Sequence, residues 1–210
     1  MNDSKSTAGI SATIGSVTRL VFLAIIILPA GAAAAGEPTD QVRNTVDQAL
    51  AVLRDPQLKS ADRRKERRDS LNRIISARFD FAEMARRSLG AEWRRITPAQ
   101  QQEFVELYAE LLRNAYTGNL ESYQGEKVSY IRETRDEQYA VVETILKSPE
   151  GTQYTIDYRL HRVDPEWKVY DVVIENVSMV NNFRAQFARV LNRSSIDGLL
   201  RTLKERTQQN

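Results

Sequence analysis

The apolar residues of this chain change their spacing twice. Up to about residue 120 they recur three and four positions apart, from Lys127 they recur at every second position, and after Ser178 the wider spacing returns. The wider spacing buries one face of a helix and the narrower one face of a strand, so the chain reads helices, strands, helices. Elements in blocks rather than in alternation argue against a βαβ parallel sheet. They point to an α+β fold in which helices cover one face of a curved antiparallel sheet.

Within the first block, Val42, Val46, Ala49, Leu50 and Leu53 form a stripe over about Asp40 to Arg54, and Asp55-Pro56 stops it. A second helical stretch follows Ser60, a candidate N-cap; Leu71, Ile74 and Ile75 supply its apolar face and Gly90 its stop. The clearest helix starts at Thr97. Thr97 as N-cap, Pro98 at the first helical position and Gln100 two residues later meet the start rules together. Phe104, Leu107, Tyr108, Leu111, Leu112 and Ala115 then share a broad face that Gly118 would end.

Four strands are expected: Val128 to Ile131, Tyr139 to Leu146, Tyr154 to Leu160 and Trp167 to Val177. Short breaks at Asp136, Pro149-Glu150-Gly151 and Asp164-Pro165-Glu166 imply an antiparallel meander. In the third strand Tyr154, Ile156, Tyr158 and Leu160 fall on one face, and Thr155, Asp157, Arg159 and His161 on the other. Strict alternation in the fourth puts Tyr170, Val172 and Ile174 on one side and Val169, Val173 and Val177 on the other. After Ser178 a helix carries Val180, Phe183, Phe187, Val190 and Leu191 on a single face. A last helix would start at Ser194, with Asp197 at capping-box spacing and Gly198 a weak point inside it.

The N-terminus has its own character. Arg19 precedes an unbroken apolar run from Leu20 to Leu28 and a small-residue stretch from Ala30 to Gly36, the pattern of a secretory signal with Ala-x-Ala cleavage sites. We expect residues 1–35 to be that signal and 36–210 to be one domain. The full chain has 30 Lys and Arg against 28 Asp and Glu, a net charge of +2, which falls to about +1 without the signal. The chain has no cysteine, which excludes a disulfide framework, and with its single histidine a nitrogen- or sulfur-ligated metal centre is not expected. An exported protein of this kind suits the bacterial periplasm.

Chemistry-bearing motifs are few. The run Arg63 to Arg68, which holds Arg63, Arg64, Arg67 and Arg68, spreads around more than one helical turn and is interleaved with acids. With so little net charge it argues for a solvated face or a docking patch and against nucleic acid. Asp157, His161 and Asp171 could serve acid–base chemistry only if they converged in a pocket. No glycine-rich phosphate loop, H-E-x-x-H or G-x-S-x-G is present. Aromatic residues, namely Phe81, Trp93, Phe104, Tyr108, Tyr116, Tyr154, Tyr158, Tyr170, Phe183 and Phe187, concentrate on inward stripes. Periodicity reads these first as plain core, and stripes cannot distinguish a filled core from a lined cavity.

Two long segments carry more than spacing. "FDFAEMARRSLGAEWRRITPAQQQEFVELYAELLRNAY" and "YDVVIENVSMVNNFRAQFARVLNRSSIDGLLRTLKER", with the strands between them, closely resemble the toluene-tolerance Ttg2D/MlaC family. Asn176 and Ser194-Ser195 stand where that family often has glycine. The resemblance implies a helical layer on a highly curved four-stranded antiparallel sheet with an apolar cavity between them. It implies a monomeric periplasmic carrier with no cofactor and no catalytic residue, which holds phospholipid tails and exchanges lipid with an outer-membrane lipoprotein complex and an inner-membrane ABC transporter complex. In that frame the expected wall residues are Phe81, Met84, Trp93, Phe104, Tyr108, Leu111, Val172, Ile174, Val177, Val180, Phe183 and Phe187. The four arginines are the expected docking patch. Other readings that the residues leave open are a carrier of another lipid such as a hopanoid, an enzyme on the same cone-shaped fold, and a solid-cored adaptor.

Overall fold

A computed structural model describes residues 37–121, 123–163 and 165–208, with the backbone alone at 116–121. The expected signal at 1–35 and the ring of Tyr116 lie outside the described residues. Helix α1 runs Pro38–Arg54 and α2 Arg64–Arg78, followed by α3 Phe81–Leu89 and α4 Pro98–Glu121. Four long strands follow, β1 Lys127–Arg135, β2 Tyr139–Lys147, β3 Gln153–Val163 and β4 Glu166–Ile174. A two-residue β5, Val177–Ser178, leads into α5 Met179–Leu191, and α6 Ile196–Gln208 closes the chain. The strands pair in order β1-β2-β3-β4-β5, all antiparallel, so the meander has five strands where four were expected. Among the described residues no helix is long and apolar enough to cross a membrane.

Local chemistry sets the ends of these elements. The Thr97 Oγ1 accepts from the Gln100 N–H at 3.2 Å while the Thr97 N–H donates to Gln100 Oε1 at 3.0 Å, a complete capping box. Gly118 does not stop α4, which carries its backbone through to Glu121. The stretch from Ser60 to Gly90 is not one helix. It breaks at Phe79-Asp80, where Phe79 bridges to Val169 of β4, the Asp80 N–H donates to the Val169 carbonyl at 2.9 Å, and Asp80 Oδ1 caps α3 through the Glu83 N–H. Ser60 makes no cap bond of its own. Helix α6 begins one residue later than its spacing suggests: Ser195 Oγ accepts from the Gly198 N–H at 3.2 Å, and Asp197 instead receives the Gln100 amide at 2.8 Å. A Cβ at Gly198 would meet Ser194 Oγ, so any larger residue there requires the Ser194 side chain to turn away.

Two bulges redirect the sheet. In β4 the register passes from Arg159↔Asp171 to Leu160↔Val169, leaving Tyr170 as the extra residue. Strict alternation therefore fails in this strand: Trp167 and Val169 face inward together with Val172 and Ile174, and Tyr170 leaves that face. A second bulge, at Ile131, puts that side chain in solvent. Each extra residue bends its strand and increases local twist, which curves the sheet around the helices. The turn from β4 to β5 has Glu175 at φ 47° and Asn176 at φ 64°, both left-handed. Asn tolerates that region better than most residues, so Asn176 makes the tight hairpin without glycine.

Asp171 ties this corner together. Its carboxylate is almost fully buried and accepts from Ser178 Oγ at 2.6 Å, from the Val180 N–H at 3.0 Å and from Arg159 at 3.2 Å. Ser178 Oγ in turn accepts from the Asn181 N–H at 3.1 Å, so strand and helix share one network at the start of α5. Asp171→Ala is expected to lower stability by about 2–3 kcal/mol, as for a buried charge-assisted network that loses its acceptor. The midpoint of urea unfolding measures it, and a loss below about 0.5 kcal/mol would mean that Ser178 alone holds the helix start.

Candidate functional site

The space between helices and sheet is not packed uniformly. On the side of α3, α4 and α5 it is solid. Phe104 and Tyr108 stack at 5.8 Å, Phe187 meets Phe104 edge-on at 5.4 Å, and Phe183 meets Tyr108 edge-on at 5.3 Å. The Tyr108 hydroxyl shares a buried hydrogen bond of 2.9 Å with Ser88 Oγ. Val180 belongs to the same core.

Toward α1 and α2 the packing opens into a cavity of about 360 Å³. Helix α1 contributes Val42, Thr45, Val46 and Ala49, and the α2–α3 break contributes Ile75, Arg78, Phe79, Phe81 and Met84. Leu112 and Arg113 come from α4. The floor is the inner face of the sheet, Leu146, Ile156, Tyr158, Val169, Val172 and Ile174, and Met179 closes the start of α5. The α1 residues arrive by helical spacing, with the small Ala49 leaving room opposite the strands.

Of the twelve expected wall residues, Phe81, Met84, Val172 and Ile174 line this cavity. Phe104, Tyr108, Val180, Phe183 and Phe187 do not, because their rings and methyls fill the helix–helix core instead. Trp93 and Leu111 sit at the edge of that core, and Val177 is exposed on β5. The residues missed include the α1 stripe, Arg78, Arg113, Tyr158 and Met179. The stripe itself was visible in the sequence, but no spacing says which partner a helix face meets.

The polar groups at the cavity have assigned neighbours. Arg78 donates to Gln41 Oε1 at 2.5 Å, to the Trp167 carbonyl at 2.6 Å and to Thr45 Oγ1 at 3.2 Å, joining α1, α2 and β4. Burial draws its pKa down, against the pull of Glu166. The Arg113 guanidinium lies 5.8 Å from the centre of the Phe81 ring. Tyr158 is partly buried on the cavity floor, and burial, with Tyr130 nearby, pushes its phenol well above the ordinary value. Tyr130 lies beneath Arg43 at 4.3 Å, and its buried hydroxyl meets no acceptor or donor.

The imagined acid–base groups do not converge. His161 Nε2 pairs with Asp80 Oδ2 at 3.0 Å beside the α3 cap, and Asp171 caps α5. Asp157 lies on the outer sheet face opposite Glu143, and partial burial followed by that like charge raises its pKa. None of the three lines the cavity. Among the described residues no group of three or more His, Cys, Asp or Glu side chains could hold a metal. The four arginines at and just before the start of α2 differ in their engagement: Arg63 pairs with Glu66 at 2.5 Å, Arg67 donates to the Leu58 carbonyl at 2.9 Å, Arg68 is half-buried and Arg64 is exposed.

Comparison with known proteins agrees with this geometry. Residues 43–205 match the family model described as MlaC protein. The chain is 25% identical over 186 residues to the toluene tolerance protein ttg2D of Pseudomonas putida, covering 88% of this chain and 86% of that protein. It is 25% identical over 126 residues to the intermembrane phospholipid transport system binding protein MlaC of Haemophilus influenzae, covering 58% and 59% respectively. The solved structure of a phospholipid-binding protein from Ralstonia solanacearum, in complex with a phospholipid, superimposes with a TM-score of 0.74. Sequence identity there is 28%, over 82% of this chain and 98% of the other.

The two buried phenols yield a titration test. Burial pushes Tyr130 up to about 12, helped by Asp47 and opposed by Arg43. A folded pKa above the unfolded value of about 10 gives stability that is full below pH 10 and is lost as pH rises through 12. Tyrosinate absorbance is therefore expected to show part of the eight tyrosines resisting ionisation until the protein unfolds in alkali. Tyr130→Phe should remove one such group and leave stability equal or up to about 1 kcal/mol higher, since the hydroxyl it deletes is unpaired.

Proposed function

This chain belongs to the MlaC family, and from that premise we propose that it is a periplasmic carrier of phospholipid whose acyl tails occupy the cavity between the helical layer and the sheet. The observation that carries the reading is the cavity itself: it is lined mostly by apolar side chains from α1, the α2–α3 break and the sheet, beside a core filled by aromatic rings. The similarity to a phospholipid transport binding protein and to a solved protein holding a phospholipid supports it. The lining holds no acid or histidine, which supports binding over acid–base catalysis.

Energetics then shapes the mechanism. At ~0.8 kcal/mol per buried CH₂, two long acyl chains hide on the order of 20 kcal/mol of apolar free energy from water. A bilayer hides the same amount, so the cavity has to match the bilayer closely, and loading and unloading proceed by docking in which tails do not cross water. In this reading the protein cycles as a monomer between an outer-membrane lipoprotein complex and an inner-membrane ABC transporter complex, maintaining outer-membrane lipid asymmetry. The basic start of α2 serves as the docking contact, through Arg64 more than through Arg63 and Arg67, which are engaged by their own chain.

Native mass spectrometry of detergent-free protein from a periplasmic extract is expected to find stoichiometric phospholipid. Ala49→Phe, which places a ring in the cavity from α1, should reduce that occupancy at least tenfold while the melting temperature stays within a few degrees. An empty wild-type protein that also takes up no lipid from vesicles would overturn the reading in favour of a solid adaptor.

A further inference from the structure

The cavity is smaller than the cargo proposed for it. A water fills ~30 Å³ in the liquid and a methylene is of similar size, so the enclosed space of about 360 Å³ holds roughly a dozen methylenes. A long acyl tail overruns that space, and two overrun it further. Each methylene left in water opposes binding, so a carrier of long tails needs apolar surface beyond the enclosed volume.

The sheet supplies such surface at one edge of the cavity. Leu146, Ile156 and Ile174 belong to the lining. Leu146 pairs with Tyr154 across β2 and β3, Ile156 with Ile174 across β3 and β4, and Ile174 with Val177 across β4 and β5. Directly paired residues project to the same side of a sheet, so Tyr154 and Val177 share the inner face with the lining. The helices nevertheless leave these positions open: Tyr154 is 44% exposed, Ile174 38% and Val177 59%. Exposed apolar side chains scattered singly need no explanation, but these continue the cavity floor outward without a break. From Ile156 through Ile174 to Val177 the row crosses the strands for ~10 Å. The hairpin that presents it is anchored, because Ser178, next to Val177, bonds to Asp171. The Glu175 carboxylate in the turn accepts from the Thr155 N–H at 2.6 Å and from its Oγ1 at 3.0 Å. Thr155 lies on the outer face, so the charge of the turn is held away from the row.

We propose that Tyr154, Ile174 and Val177 form an open second part of the lipid site, which carries the headgroup-proximal stretch of tails whose far ends fill the cavity. The proposal rests on the carrier reading and adds to it the residues that decide how long a tail is tolerated. Short-tailed lipid needs only the enclosed space. Long-tailed lipid needs the enclosed space and the row, with Ile174 common to both.

The test uses the double variant Tyr154→Ser, Val177→Ser, whose substitutions fall at open positions outside the enclosed lining. Delipidated wild type and variant are offered, in detergent micelles, either dihexanoyl phosphatidylcholine, whose tails fit inside the cavity, or dioleoyl phosphatidylcholine, whose tails overrun it. Bound lipid is counted by native mass spectrometry. The variant is expected to take up at least fivefold less dioleoyl lipid than wild type and as much dihexanoyl lipid, which also reports that its cavity is intact. In wild type, a phosphatidylcholine with a diazirine near the carbonyl end of one tail should label Tyr154 or the β4–β5 hairpin on photolysis. Labelling confined to the helices overturns the proposal. Unchanged dioleoyl uptake by the variant, or an equal loss of both lipids, also overturns it, with the carrier reading standing on the wild-type result. A variant that loads from micelles as wild type does but fails to load from dioleoyl vesicles would make the row a membrane-docking face. A wild-type dimer that the variant lacks would make it a contact between two copies, and either result overturns the proposal. A wild type that takes up neither lipid overturns the carrier reading itself.

Discussion

The joint at residues 78–80 is the constraint on which the rest of the structure depends. Arg78 bonds to Gln41, Thr45 and the Trp167 carbonyl, Phe79 bridges to Val169, and Asp80 bonds to the Val169 carbonyl, caps α3 and pairs with His161. Three successive residues thus fix α1, α2 and α3 to β4 by directional bonds rather than by side-chain filling. Helices held to a sheet only by apolar contact would settle until the gap closed, because an interior packs to crystal-like density where nothing prevents it. Here the backbone of the helical layer is pinned at its break, and the cavity lies beside the pin.

The solid half of the core complements the open half. The Phe104, Tyr108, Phe183 and Phe187 cluster locks α4 to α5, and the Ser88–Tyr108 hydrogen bond adds α3. An apolar space loses the dispersion contacts of a filled core, and an amphiphile's tails restore them. Any ligand that binds only the folded state stabilises it by an amount that grows with the logarithm of its affinity, so on the proposed reading occupancy and stability are linked. The polar residues follow the same division of labour. Asp171, His161 and Asp80 hold elements in place, and the cavity is left to apolar groups and two arginines.

Legibility in the sequence followed the range of the interactions. The α4 start was readable because Thr97, Pro98 and Gln100 lie within one turn and act on one another. The meander was readable because strand alternation and short turns are local. The inward face of β4 was not, since one extra residue at Tyr170 reverses every later position, and a bulge leaves no mark in composition. Four of the expected wall residues line the cavity, and the aromatic helix residues instead fill the core beside it. A stripe records that a face is buried, and large rings bury well in either setting.

The sequence by itself determined the blocks of helix and strand, the antiparallel order, the absence of thiol chemistry and the family resemblance. All of these depend on contacts between neighbours in the chain or on residue types alone. The tertiary structure decided that the helical layer breaks at Phe79-Asp80, that Asp171 is a cap, that α1 rather than α5 forms much of the cavity wall, and that Arg78 and Arg113 stand at its lining. Apart from the Asp171 cap, which reaches only across the β4–β5 hairpin, each of those outcomes is set by groups tens of residues apart, whose distances depend on how far a bulged and twisted sheet stands from the helices above it.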